Sequence, residues 1–332
     1  MYKVGSLYAG VGGICRGFIN AGAEVSWANE VDRHACRTYR LNFGHKLYEE
    51  DVWKLNPEEL QGIDVLAGGF PCQPFSLAGY RKGFEDDRGN HFFRIMQYAR
   101  ALRPRVLFLE NVKNLATHDK GKTYRVIEET IRAEGYAFHA KVLNTKDYGN
   151  IPHNRERIYI VAFKTEPGDS GCIADSFSFP DPVPLSRTVA DIVDYEARVD
   201  GRYYYGKERS MYGQLKKYMR SPETVYQWRR KYVRENKGNV CPALTANMGT
   251  GGHNVPLVVT RHGFRKLTPR ECFAFQGFPD SFRTPGDMAN SHLYKQAGNS
   301  VSVPVVERIA SRIIQVLEKS SFVSVRESLQ AK

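Results

Sequence analysis

Lys3-Val-Gly-Ser-Leu-Tyr8-Ala-Gly10-Val-Gly12-Gly13-Ile-Cys15-Arg-Gly-Phe18 reads as a short apolar strand, a glycine turn and the opening of an amphipathic helix. The pattern repeats along the first half of the chain. Apolar runs at Lys3–Tyr8, Glu24–Ala28, Ile63–Ala67, Arg105–Glu110, Ala137–Leu143 and Arg157–Phe163 read as strands. Helix-like segments at Gly13–Ala21, Asp32–Leu41, Asn90–Leu102 and Lys122–Glu134 alternate with them. Near-continuous apolar strands alternating with helices predict an α/β fold, a doubly wound, mostly parallel sheet covered on both faces.

Near residue 165 the rhythm stops. Pro180, Pro182 and Pro184 follow in quick succession, then a stretch rich in tyrosine and basic residues. This shift predicts a second, smaller domain. Val305, Val306, Ile309, Ile313 and Val316 then mark a helix over Val303–Leu317 that returns to the first domain, ahead of a frayed tail from Arg326. The boundaries expected are 1–170, 171–280 and 281–325.

The composition excludes several classes. At 42% hydrophobic and 25% charged the 332-residue chain is neither disordered nor fibrous. Its longest apolar runs fall far short of the roughly 20 residues a membrane-spanning helix needs, so no membrane partner is expected. Six cysteines without a C-x-x-C pair indicate neither a zinc site nor a disulfide framework, so the reading is a reduced, cytoplasmic chain without a metal. A net charge of +12 points to a polyanionic partner.

The ends of the predicted strands carry the chemistry. Gly10, Gly12 and Gly13 shape a turn that a nucleotide-like ligand can approach, although Cys15 stands where the dinucleotide fingerprint has its third glycine. Asn29-Glu30 ends the second strand, where a carboxylate can accept hydrogen bonds from both ribose hydroxyls. Asp51-Val52 is placed to meet an adenine amino group at the end of a third. The fourth strand runs into Gly68-Gly-Phe70-Pro71-Cys72-Gln73-Pro-Phe-Ser76. A lone cysteine is more often a small buried apolar residue, but the glycines and prolines around Cys72 enforce a backbone geometry suited to an activated thiolate. Leu109-Glu110-Asn111-Val112 ends the fifth strand and brings a carboxyl to the same sheet edge. Cys72 and Glu110 together suit attack on an electron-poor ring carbon. Arg155 and Arg157, two residues apart, could bind a phosphate or a carbonyl oxygen.

Taken in order, Tyr8–Gly13, Asn29-Glu30, Asp51-Val52, Gly69–Ser76, Glu110–Val112, Pro152–Arg157, Arg265–Asp280 and Gln296–Val305 resemble the motif set of the cytosine-C5 DNA methyltransferases, of the bacterial restriction-modification type. The resemblance implies a Rossmann-like fold dependent on S-adenosyl-L-methionine, and sequence-specific 5-methylation of cytosine in double-stranded DNA. Cys72 would add to C6, a protonated Glu110 with a raised pKa would relieve the charge building at N3 by hydrogen bonding, Arg157 would hold O2, and Arg155 would support the loop or a phosphate. Tyr8, Ala9, Gly10, Gly12, Gly13, Glu30, Val31, Asp51, Val52, Phe70, Pro71, Asn299 and Ser300 would surround the cofactor. From local sequence alone Asn299 reads equally as a helix N-cap. Ser6, Val31 and His153 depart from the residues usual in the family, which bears on cofactor contacts more than on the reaction.

In the family the stretch from about 165 to 264 is the target-recognition region. Here Gly201–Val240 holds eleven Lys and Arg against three Asp and Glu, a net +8. Tyrosines and a tryptophan interleave with them, either as a small-domain core or as a surface for sugars and opened bases. The target base must leave the helix to reach Cys72. Gln73, Ser76 and Arg88 on one side and Met248, Gly249, Thr250 and Gly251 on the other are the residues expected at the DNA, with Arg229, Arg230 and Arg234 on phosphates or guanines. A monomer is expected, with a cognate restriction endonuclease sharing the site but not touching the chain. The alternatives are a cytosine-C5 RNA methyltransferase and an inactive DNA-binding relative, the latter free to lose Cys72 and Glu110.

Overall fold

β1 (Lys3–Leu7) is the third strand of a seven-stranded sheet. The computed structural model describes residues 1–71, 91–165, 176–229, 232–236, 238–248 and 255–330, with side chains up to 319. Cys72, Gln73, Ser76, Arg88, Arg230, Gly249, Thr250 and Gly251 lie outside the described residues. β2 (Glu24–Asn29) and β3 (Lys46–Tyr48) flank β1 on one side. On the other side stand β4 (Val65–Gly69), β5 (Val106–Val112), β8 (Glu156–Lys164) and β6 (Tyr136–Asn144), in that order. The first five strands pair parallel, and β8 runs antiparallel to both of its neighbours.

Alternation along β5 shows why these runs are continuously apolar. Val106 and Phe108 enter one core and Leu107 and Leu109 the other, all fully buried. On the first face lie α1 (Gly13–Asn20) and the long C-terminal helix Val303–Gln330, whose Val305, Val306, Ile309, Ile313 and Val316 are buried. Each contributes about 1.5–3 kcal/mol by leaving water. Gly17 lets this helix approach, because a Cβ there would stand 2.5 Å from Val306 Cγ1. The second face carries the helices His91–Leu102 and Lys122–Ala133.

Two details differ from the sequence reading. The third strand stops at Tyr48, three residues before Asp51, because Asn29 Nδ2 bonds the Tyr48 and Glu50 carbonyls and turns the chain there. The C-terminal helix also continues to Gln330, where a frayed tail was expected.

The basic region forms a four-stranded antiparallel sheet. β9 (Val225–Arg229) lies between β10 (Tyr232–Asn236) and β12 (Leu257–Thr260), and β13 (Gly263–Lys266) follows. Two short strands, β7 (His153–Asn154) and β11 (Cys241–Pro242), pair in parallel and tie this region to the large sheet. Among the described residues no helix is long and apolar enough to cross a membrane.

Candidate active site

The turn after β1 places three residues in left-handed conformation: Tyr8 (φ 54°), Gly10 (φ 57°) and Gly12 (φ 88°). Gly12 caps α1, and a Cβ there would run into the Phe43 ring. At Gly10 nothing lies within 4 Å of where a Cβ would stand, so the turn is open to a ligand. Glu30, just beyond β2, braces this turn. Its Oε2 accepts from the Gly10 amide at 2.7 Å, and Oε1 accepts from Val31 and Asp32 at 2.9 and 2.8 Å. A carboxylate has about four acceptor sites, so Glu30 has room for one further donor, where two ribose hydroxyls were expected.

Of the residues expected to surround the cofactor, all but Gly12 line one cavity of about 650 Å³ at the carboxyl ends of the parallel strands, the ligand edge of such sheets. Val52 is buried, and its carbonyl is held by Tyr98 Oη at 2.9 Å and Arg94 Nε at 3.0 Å. Asp51 is exposed at the rim. His91, Asn111, Asp32 and Lys295 also line the cavity and were not singled out from sequence. Asn299 proves to be the last residue of the helix Asn290–Asn299, so the N-cap reading does not hold.

Gly69 pairs with Glu110 across β4 and β5, and Asn111 Nδ2 donates to the Phe70 carbonyl at 3.0 Å. This fixes the backbone two residues before Cys72. Glu110 is 8% exposed. Arg157 Nε lies 3.1 Å from its Oε1, without an aligned hydrogen bond to that oxygen among the described residues. Burial pushes the Glu110 carboxyl above its usual range, and the positive charges of Arg157 and Arg155 only partly oppose the shift.

The two arginines do not act alike. Arg155 is buried between β7 and β8, and its guanidinium donates to the carbonyls of Leu244 at 2.9 Å, Gly298 at 3.3 Å and Ser300 at 2.5 Å. Burial and Arg157 pull its pKa down to about 9, which leaves it charged at neutral pH. Of the two roles expected for it, supporting the loop is the one its contacts allow, since a guanidinium already on three carbonyls does not reach a phosphate. His153, fully buried, accepts at Nε2 from the Leu244 amide at 3.3 Å and lies 2.9 Å from the Phe275 carbonyl through Nδ1, which fixes a neutral tautomer. Burial holds its pKa well below the usual histidine range.

Arg157 also borders a second, polar cleft of about 830 Å³. Lys113, Asn114 and Asn154 form the wall beside the large sheet, and Gln227, Arg229 and Arg234 the wall of the basic sheet. The cleft and the cofactor cavity share Val112, Arg157 and Thr245. Met248, expected at the DNA, is instead fully buried in the core that joins the two regions. The tyrosine-rich stretch divides. Tyr226 is buried with Leu215 and Leu257, while Tyr232 and Tyr218 are exposed.

A mostly parallel sheet with an open glycine turn, a carboxylate just beyond the second strand and a buried acid in the wall of the cavity is the arrangement of an S-adenosylmethionine-dependent methyltransferase. Solved structures share the fold: a Spodoptera frugiperda DNMT2 mutant (TM-score 0.71, 19% identity, 96% of this chain and 99% of that one) and S. pombe Dnmt2 (TM-score 0.70, 20% identity, 96% and 99%). The family model for C-5 cytosine-specific DNA methylases matches residues 2–315. Type II methyltransferase M.Bsp6I of Bacillus sp. (strain RFL6) is 54% identical over 316 residues, 94% of this chain and 98% of that protein. Type II methyltransferase M.HhaI of Haemophilus parahaemolyticus is 38% identical over 320 residues, 92% of each. The chain belongs to the C-5 cytosine-specific DNA methylase family. It is a DNA (cytosine-5-)-methyltransferase, with S-adenosyl-L-methionine as methyl donor.

Proposed function

We propose that the protein flips one cytosine of a short duplex sequence out of the helix and methylates it with Cys72 as nucleophile and Glu110 as acid. The observation that carries this reading is Glu110 itself: a carboxyl that burial pushes towards its neutral form, in the wall of the cofactor cavity and beside Arg157, which also borders the cleft. Cytosine C5 is not nucleophilic until a thiolate adds to C6. As the S–C6 bond forms, the ring electrons move towards N3, where the Glu110 proton is transferred, and C5 becomes nucleophilic. Arg157 donates to O2 and opposes the growing negative charge. The bound cofactor supplies an electrophilic methyl group from its sulfonium. N3 gives its proton back to Glu110, and loss of the C5 proton to a base re-forms the C5–C6 double bond as the S–C6 bond breaks and the Cys72 thiolate leaves.

The cofactor fits the cavity by its chemistry. Gly10 leaves backbone open to a ligand, Glu30 keeps one acceptor site, and Val52 and Phe70 offer apolar wall. Residues 1–170 and 281–325 are assigned to catalysis and cofactor binding, and 171–280 to target recognition. We place DNA in the cleft between them, with Arg229, Arg230 and Arg234 on phosphates or guanines. The reading extends to protection of host DNA in the cytoplasm, by a monomer, from a restriction endonuclease that cuts the same site without touching this chain; it is supported only as far as the relatives are named Type II methyltransferases.

The test is expression in a host without cytosine methylation, followed by bisulfite sequencing. Protected cytosines within one short motif, absent with Cys72→Ala, are the expected result. No protection from a folded protein that binds the cofactor would refute the reading.

A further inference from the structure

The β9–β10 hairpin has two chemically different faces. Its register pairs Arg234 with Gln227, Tyr232 with Arg229 and Asn236 with Val225. Tyr226 and Val233, on one face, are buried against Leu215, Met219 and Leu257, with Trp228 packed beside them. Strand alternation therefore turns Gln227, Arg229 and Arg234 to the other face, and these three side chains line the 830 Å³ cleft. They are not equivalent. Arg229 and Arg234 are exposed, as suits contacts to a flexible phosphate backbone. Gln227 is only 6% exposed, and its Oε1 has no hydrogen-bond partner among the described residues. Buried polar atoms in folded proteins nearly always have a partner, so an unpartnered carboxamide oxygen in the wall of a cleft is poised for a ligand.

We propose that Gln227 is a specificity-determining residue that reads one base pair of the recognition sequence through its carboxamide. The proposal rests on the reading of this cleft as the DNA site. A carboxamide presents a donor beside an acceptor, and its complement is a base edge with an amino donor next to an acceptor. In the major groove that pattern occurs on adenine, at N6 and N7, and across a G·C pair, at cytosine N4 and guanine O6. Phosphate and sugar lack an amino donor to pair with Oε1. The hairpin then divides its work, with Arg229 and Arg234 holding the backbone and Gln227 reading the base between them.

The experiment compares wild type, Gln227→Ala and the near-isosteric Gln227→Glu on a plasmid library, with bisulfite sequencing giving methylation rates at the cognate motif and at every singly substituted motif. Gln227→Ala is expected to lower discrimination at one position by about ten- to a hundredfold and to leave the others unchanged. Gln227→Glu, which only accepts, is expected to shift preference at that same position and keeps the test open where the alanine variant does not fold. An adenine or a G·C pair at the relaxed position says which edge is read. An unchanged motif in both variants, or a uniform loss of rate at all sequences with cofactor affinity retained, overturns the proposal. Arg234→Ala separates the two readings. If it weakens DNA binding while both Gln227 variants keep full discrimination, only the base-reading proposal fails. If it leaves binding and its salt dependence untouched, the placement of DNA in the cleft fails as well.

Discussion

Arg157 Nε stands 3.1 Å from Glu110 Oε1 across the antiparallel pair β5 and β8, a cation against a carboxyl that burial drives towards its neutral form. The contact sits where the cofactor cavity and the polar cleft meet. It sets a cation that favours the ionised carboxyl against a burial that favours the protonated one, and burial is the larger of the two effects.

Glu110→Gln keeps the shape and a donor but cannot transfer a proton. It should lower kcat by about 10²- to 10⁴-fold without lowering stability. The native state holds the Glu110 proton more tightly than the unfolded chain, so wild-type stability falls as pH rises through the window between the ordinary and the raised pKa. Activity should fall as the carboxyl ionises. Denaturation and rate profiles against pH check both, and an unaltered kcat in the variant would remove Glu110 from the chemistry.

Arg155 joins β8, Leu244 and the turn at Gly298–Ser300 through three carbonyls. Arg155→Ala should destabilise the protein by about 3 kcal/mol, since buried acceptors lose their partner. Arg155→Lys should recover only part of this, because an ammonium lacks the planar fork that spans several carbonyls. Chemical denaturation decides it. A loss below about 1 kcal/mol would mean the three contacts contribute little.

His153 is neutral when folded and titrates in the usual range when unfolded, so its contribution is present above about pH 6.5 and is lost as pH falls. Moving to pH 5.5 should lower stability by on the order of 1 kcal/mol. In His153→Gln the carboxamide can still donate to Phe275 and accept from Leu244, so the loss on acidification should shrink. Thermal melts at pH 5.5 and 7.5 test this, and equal slopes in the two proteins would contradict it.

Arg229→Ala and Arg234→Ala should each weaken DNA binding and reduce the slope of log affinity against log salt by about 1, as loss of one phosphate contact requires. Titrations at several salt concentrations give the slope. An unchanged slope would sink the phosphate assignment.

Much of the fold and of the site is legible in the amino-acid sequence, and the reason is physical. Strands buried on both faces are continuously apolar, so their ends can be read to within about two residues, and the groups at those ends fall together because parallel strands share an edge. What escapes depends on distant partners. Arg155 and Arg157 share parity, but Arg155 lies outside β8 and finds carbonyls 89 to 145 residues away. Met248 is a lone apolar residue in a polar stretch, with no periodicity to show that it faces a core. Gln227 does carry a signal. Tyr226 and Trp228 alternate around it, but strands of four or five residues are too short to stand out in a basic, aromatic stretch.

The most direct test of the proposed chemistry is covalent trapping on duplex DNA with 5-fluorocytosine at the target. Fluorine at C5 cannot leave as a proton does, so the enzyme should stall after methyl transfer with the S–C6 bond intact. Peptide mapping should then find the adduct on Cys72, formed only with the methyl donor present and formed slowly in Glu110→Gln. An adduct on another residue, or none from a protein that methylates ordinary cytosine at the same site, would contradict the assignment of Cys72 as the nucleophile.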